Sequence, residues 1–392
     1  MLLLGAFPTS SAVYNGECRR NIADFVKEND DPQNPANFGP RSTPDFRSGL
    51  GRDELVTTAM DSSIRHRLVV FSDPHYAGDA ERRRKGWERR AIGSAGLRWF
   101  AGLYRRFFWL ADPTAHNHQV DAFIRAAGRP ELVIANGDYS CDSGFIGLAD
   151  DAAFASAQEC VGKLRAAFGD RLLATLGDHE LGKMSLFGGV GGPRFASWER
   201  STTGLGIRPL WTHELTSHVL IGVTSSLIGL SAFKPEIVPG EWESWARLRS
   251  DYMKELKEAF ASVPANRRII LFCHDPTALP YLVEEPVIAA KLAQLECTVI
   301  GHLHSPWILR MSRCLSGMPE LGLFGNTARR LSGALRKARR WRPFRLVLCP
   351  SPPGIQIAKD GGYLEIEILA DRGKTGGNEP GIRVVRRYLP WN

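Results

Sequence analysis

Leu132-Val133-Ile134-Ala135-Asn136-Gly137-Asp138 sets four apolar residues against a polar tip. A run that short, apolar at every position and closed by turn residues, reads as a strand covered on both faces. The same grammar recurs on either side of it. Residues 68–71 lead into Ser72-Asp73-Pro74-His75, and residues 172–176 into Gly177-Asp178-His179-Glu180. Further on, Arg268–Cys273 runs into His274-Asp275, and residues 297–300 into Gly301-His302-Leu303-His304. His218–Val223, residues 363–369 and Ile382–Tyr388 are also strand-like. Helical patterns at residues 120–127, 152–167, 241–262 and 287–295 fall between strands. Strands alternating with helices predict an α/β layered core.

Five of these strands end in Asp or His, at the edge where open α/β sheets place their sites. One such residue is ordinarily a satisfied polar cap; five in succession point to a shared centre. Imidazole nitrogens and carboxylate oxygens suit manganese, iron or zinc, and the lack of cysteine in the set argues against a structural zinc. The donors suffice for two divalent ions, with Asp138 able to bridge them. Two ions about 3.5–4 Å apart can share a hydroxide nucleophile and clamp a phosphoryl group. Gly137, Gly177 and Gly301 are expected to let the backbone turn sharply off each strand.

With these motifs the chain resembles the calcineurin-like metallophosphoesterases, whose run is D-x-H, G-D, G-N-H-[DE], H and G-H-x-H. Each occurs here in order, and the resemblance covers roughly residues 65 to 389. It implies a four-layer sandwich, two mixed β-sheets face to face with helices outside. It implies one metal on Asp73, His75, Asp138 and His304 and another on Asp138, Asp178, His274 and His302. His179 would stand over the leaving-group oxygen as proton donor or electrostatic stabiliser, with Glu180 orienting its ring. One position departs: Asp178 stands where the family has Asn. An ionised Asp offers a charged oxygen and no N–H donor. It is expected to tighten the second metal and weaken the attraction for anionic phosphates.

The chain has 392 residues, 43% hydrophobic and 23% charged, enough to bury a sizeable core. No apolar run approaches the roughly 20 residues that span a bilayer. Residues 1–7 are apolar but short, lack a preceding basic residue and a small-residue cleavage site, and are not read as a leader. The seven cysteines are scattered and never paired as C-x-x-C, which excludes a disulfide scaffold and fits a reducing compartment. A cytoplasmic protein is expected. Residues 1–62 read as an extension, partly irregular because 29–52 is crowded with Pro, Asn, Asp and Gly. Residues 63–392 read as the catalytic domain.

The net charge of +8 is concentrated. Residues 80–110 hold nine Lys/Arg against two acids, and 325–345 hold eight against none, so the rest of the chain sums to −7. These patches coincide with two insertions, at about 80–118 and 313–345. In the first, Phe100, Leu103, Phe107 and Leu110 would share one helical face, with Arg98 and Arg105 on another. In the second, Leu331, Leu335 and Ala338 form an apolar stripe. Aromatic residues interleaved with arginine suit a helix at a lipid headgroup boundary; a lid packed on the core and a nucleic-acid surface are the other readings. The expected function is a dimetal-dependent phosphohydrolase acting on a phosphodiester, phosphomonoester or pyrophosphate. Manganese is the expected metal, with iron or zinc as alternatives. A lipid-linked nucleotide such as UDP-2,3-diacylglucosamine is the substrate favoured, since its hydrolases in this family also carry a lipid-facing insertion. Peripheral contact with an anionic membrane would go with it. The competing readings are a nuclease or nucleotide phosphodiesterase and a non-catalytic scaffold on the same fold.

Overall fold

A computed structural model describes residues 64–186, 188–321, 326–369 and 381–391, so the expected extension at 1–62 lies outside the described residues. The strands are β1 (Ile64–Phe71), β2 (Leu132–Asn136), β3 (Leu172–Thr175), β4 (Leu210–Glu214), β5 (His218–Val223), β6 (Arg268–Cys273), β7 (Leu295–Ile300), β8 (Leu346–Leu348), β9 (Gly362–Leu369) and β10 (Ile382–Tyr388). They form two five-stranded mixed sheets, ordered β10-β9-β1-β2-β3 and β4-β5-β6-β7-β8. Strands β1, β2 and β3 are parallel in the first sheet and β5 to β8 in the second. Antiparallel edges close each sheet: β9 and β10 on the first, β4 on the second.

Strand alternation explains the unbroken apolar runs. Leu68 and Val70 of β1 face Ile270 and Phe272 of β6 across the space between the sheets. Val69 and Phe71 point the other way, onto helices α2 (His118–Ala127) and α3 (Asp151–Phe168). In the second sheet Ile269, Leu271 and Cys273 turn outward to helix α4 (Trp242–Ala261) and its neighbours. The result is the expected four-layer sandwich, helices outside two stacked sheets. Trp211 of β4 ties the sheets together, its Nε1–H donating to the Ala174 carbonyl of β3 at 2.9 Å. Phe123 of α2 stacks on Phe71 with centroids 4.0 Å apart and also meets Phe168 and Tyr363. Phe123→Ala is therefore expected to cost about 3–5 kcal/mol, read as a lower urea midpoint at unchanged m-value.

Two strands escaped the sequence reading. The residues of β4, Leu-Trp-Thr-His-Glu, form an edge strand with one half-open face, and β8 is only three residues long behind a proline. The helix expected at 287–295 stops earlier, at Lys291, because Leu295 already pairs with Ile269 in the sheet.

Both insertions fold against the body. The first includes helix α1 (Ala95–Phe107), which ends before Leu110; that residue lies beyond the helix and is buried. Phe107 is 61% exposed, so the expected apolar face is turned partly outward, and Trp99, off that face, is 70% exposed. Much of the basic charge is paired internally: Arg84 with Asp150, Lys85 with Asp112 and Arg105 with Glu88. Helix α5 (Pro306–Cys314) follows β7, and helix α6 (Asn326–Lys337) carries the second insertion. On α6, Leu335 and Ala338 beyond its end are buried, but Leu331 is 52% exposed. Ser332 faces inward in its place, accepting the Leu321 N–H at 2.8 Å and donating to the Ala328 carbonyl at 2.6 Å. Among the described residues no helix is long and apolar enough to cross a membrane.

Candidate metal centre

Parallel pairing brings the carboxyl ends of β1, β2 and β3 to one edge, and those of β6 and β7 to the corresponding edge of the second sheet. The loops beyond them are laced together by main-chain bonds. Asp73 N–H donates to Gly137 O at 3.1 Å, His75 N–H to Asp138 O at 3.0 Å and Gly301 N–H to His274 O at 3.0 Å. Asp73, His75, Asp138, His302 and His304 all adopt left-handed backbone, with φ from 43° to 61°. That conformation is uncommon for residues with a Cβ and persists where surrounding structure enforces it.

The expected turn residues act differently from one another. Gly137 is left-handed, with φ at 91°, whereas Gly301 and Gly177 are needed for space. A Cβ at Gly177 would stand 2.2 Å from Asp138 Oδ1, and one at Gly301 2.4 Å from Asp73 Oδ2. The ligand candidates themselves, more than the glycines, make the sharp turn.

Donor atoms of Asp138, Asp178, His274 and His302 lie within 4.8 Å of one another, as do those of Asp73, His75 and His304. A third set, His75, Asp138 and His179, overlaps both. Every sequence-predicted metal residue is thus brought into one cluster with His179 beside it. His274 Nδ1 donates to the Asn136 carbonyl at 2.6 Å, which turns Nε2 toward the carboxylates, the side a cation would occupy. That Nε2 lies 3.1 Å from Asp138 Oδ2 and 3.2 Å from Asp178 Oδ1. Asp138 Oδ2 and His274 Nε2 are buried, yet neither makes a hydrogen bond. The Nε2 atoms of His75 and His304 approach to 3.1 Å. Converging lone pairs of this kind, buried and unsatisfied, are what bound divalent cations would satisfy.

Burial and the facing charges set the protonation. Burial and the Asp178 carboxylate push Asp138 up, and the His274 and His179 rings outweigh them, so it stays below the ordinary carboxylate range. Burial raises Asp73 to about 6 against the pull of His274. Burial, with His179 alongside, lowers His75 to about 3, so it is a neutral donor at neutral pH.

Glu180 departs from its expected role. Its carboxylate accepts the N–H groups of Tyr139 at 2.7 Å, Gly177 at 2.8 Å and Asp138 at 2.9 Å, and His179 Nδ1 has no hydrogen-bond partner. Glu180 therefore fixes the backbone of the loops and does not orient the His179 ring. The reason is local: Glu180 is the third residue of a one-turn helix, Asp178–Leu181, and reaches back over its start. His179 Nε2 lies 3.9 Å from Asp138 Oδ2, and its ring meets the His75 ring edge-on at 4.6 Å.

Two neighbours were not anticipated. Lys183 places Nζ 2.9 Å from Asp178 Oδ2. Trp109, from the first insertion, rests against the His304 ring at 4.9 Å. A lysine five positions after the acid that breaks the motif was the only signal for the former. Nothing in the local pattern distinguished Trp109 from its aromatic neighbours.

The calcineurin-like phosphoesterase family model matches residues 66–306. Among solved structures, a dimetal phosphatase from Danio rerio is 14% identical, with 62% of this chain and 82% of that one covered and a TM-score of 0.35. A phosphopantetheinyl hydrolase from Mycobacterium tuberculosis is 12% identical over 60% of this chain and 82% of its own, with a TM-score of 0.31. A purple acid phosphatase from yellow lupin is 12% identical over 61% and 38%, with a TM-score of 0.29. No curated protein matches the chain.

Proposed function

The chain belongs to the calcineurin-like phosphoesterase family and is a metal-dependent phosphoester hydrolase, and we propose that its substrate is a phosphodiester or pyrophosphate with a lipid-like end. In this reading Asp73, His75, Asp138 and His304 hold one manganese ion and Asp138, Asp178, His274 and His302 the other. Bound there, two divalent ions supply Lewis-acid charge and acidify water for attack on phosphorus. Asp138 faces both sets of donors, which suits it to be the shared ligand. His179, partly exposed on the open side of the cluster, would meet the leaving oxygen and donate to it.

One observation carries the lipid-like end: the aromatic surface that starts on a metal-ligand candidate and runs outward. Trp109 lies on His304, the adjacent Phe108 meets Trp307 edge-on at 5.2 Å, and the Ile357 N–H donates to the Phe108 carbonyl at 3.3 Å. Phe107, next in sequence to Phe108, and Ile357 are exposed, as are Trp307, Met311 and Leu315, spaced four apart on α5 and at its end. Apolar side chains beside arginine, as Arg106 is to Phe107, support peripheral contact with an anionic membrane. The internal pairing of Arg84, Arg105, Arg330 and Arg340 with acids leaves less charge for a nucleic-acid backbone.

The test compares UMP release from UDP-2,3-diacylglucosamine in mixed micelles with hydrolysis of a soluble chromogenic phosphodiester. Each exposed aromatic is worth about 1.5–3 kcal/mol when covered. The Phe107→Ala, Trp307→Ala double variant is therefore expected to raise KM for the micellar substrate at least about 10-fold and leave the soluble ester within about twofold. Hydrolysis of the soluble ester alone, by wild type and variant equally, would discard the lipid-like end. Activity on oligonucleotides that falls steeply with salt would favour a nuclease.

A further inference from the structure

The two oxygens of Asp178 have separate partners. Oδ1 faces His302 Nδ1 at 2.9 Å and His274 Nε2 at 3.2 Å, and Oδ2 is met by Lys183 Nζ at 2.9 Å. The cluster is graded from floor to mouth. Asp73, Asp138, Asp178 and His274 are buried, while the Lys183 side chain keeps 29% of its surface exposed and His302 21%. An ammonium group on the open side of an acidic floor is placed to meet an incoming anion.

The backbone holds Lys183 there. Its N–H donates to Asp142 Oδ2 at 3.1 Å, and buried Asp142 also accepts the Gly147 N–H at 2.8 Å. The preceding Gly182 takes φ of 106°, and a Cβ on it would lie 2.6 Å from the Gly192 carbonyl oxygen. The chain is thereby bent so that a residue just past the one-turn helix returns to its first residue.

Resting on the two-metal reading above, we propose that Lys183 is the residue that anchors the substrate's phosphoryl group, its ammonium held on Asp178 and donating to a phosphoryl oxygen. An Asp at 178 subtracts one charge from the centre and offers no N–H donor; the ammonium beside it returns both. The pair does the work of one neutral amide, an oxygen ligand and an N–H donor, with the two parts on different side chains. The weakened phosphate attraction expected from Asp178 alone is thus offset within the same loop.

The test uses the full chain and inorganic phosphate as probe. Calorimetry measures Mn²⁺ affinity on the metal-free protein and phosphate affinity on the Mn²⁺-loaded protein, for wild type, Lys183→Met and Lys183→Arg. Loss of a charge-assisted hydrogen bond is expected to weaken phosphate binding about 10- to 100-fold in Lys183→Met. Mn²⁺ affinity should stay within about threefold, and Lys183→Arg should keep most of the phosphate affinity. Phosphate affinity unchanged in Lys183→Met would overturn the proposal. So would a loss that follows a matching loss of Mn²⁺, since Lys183 would then only position a metal ligand. Should Lys183→Met fail to fold, Lys183→Gln replaces it under the same criteria. Failure of wild type to bind Mn²⁺ would count against the two-metal reading itself, separately from Lys183.

Discussion

Asp138→Asn is expected to remove phosphoester hydrolysis, with kcat/KM falling well beyond the roughly 10–100-fold that loss of a ligand's outer partner brings. The two oxygens of Asp138 have different surroundings. Oδ1 accepts the His179 N–H at 3.0 Å, and Oδ2 faces His274 Nε2 at 3.1 Å with His75 and His179 Nε2 at 3.9 Å. An amide in this place must direct its NH₂ to one side or the other. Toward His274 it would donate to the Nε2 lone pair and close the place an ion would take. Toward His179 it would set donor against donor. The substitution keeps shape and volume, so the unfolding midpoint should move little while metal content and turnover fall together. Retained turnover with both ions bound would mean that Asp138 is not the shared ligand.

Glu180→Ala is expected to damage both stability and the site. It leaves three main-chain N–H groups, those of Asp138, Tyr139 and Gly177, without the acceptor they now share. Each buried unsatisfied donor costs about 1–3 kcal/mol, so the variant should lose about 3 kcal/mol or more, a large share of the 5–15 kcal/mol that holds a typical domain. Glu180→Gln should restore only part of it: an amide oxygen in the Oε2 place still accepts from Asp138 and Gly177, while the NH₂ is set against the Tyr139 N–H. Chemical unfolding gives the first number and metal content after desalting gives the second. An unchanged midpoint in Glu180→Ala would show that water replaces the carboxylate without loss. Normal metal binding in a destabilised variant would separate the loop anchor from the site.

The strands that carry chemistry were legible because burial on both faces removes polar residues from them. Leu132–Asn136 and Arg268–Cys273 are apolar for that reason, and the Asp or His that follows stands out. Edge strands lack that contrast, which is why Leu210–Glu214 and Leu346–Leu348 carry no strand signal in the sequence. Within the site, residue type and spacing identified the cluster but not which way a side chain turns. Glu180 follows His179 in sequence and the family resemblance implies that it orients that ring, yet the helical start directs its carboxylate back to the backbone N–H groups. Lys183 depends on the bend at Gly182, and Trp109 on the packing of the first insertion across the sheet edge, neither of which has a period. The same limit applied to Leu331 and Leu335, whose shared stripe was readable but whose burial was divided by the inward-facing Ser332.

Metal stoichiometry tests the central claim most directly. The chain, freed of metal with a chelator, is titrated with Mn²⁺ by calorimetry while hydrolysis of a chromogenic phosphoester is followed at each addition. Two ions bound per chain, with turnover rising only as the second site fills, is the predicted result. Turnover in the metal-free chain, or full turnover at a single ion per chain, would contradict the two-metal centre built from Asp73, His75, Asp138, Asp178, His274, His302 and His304.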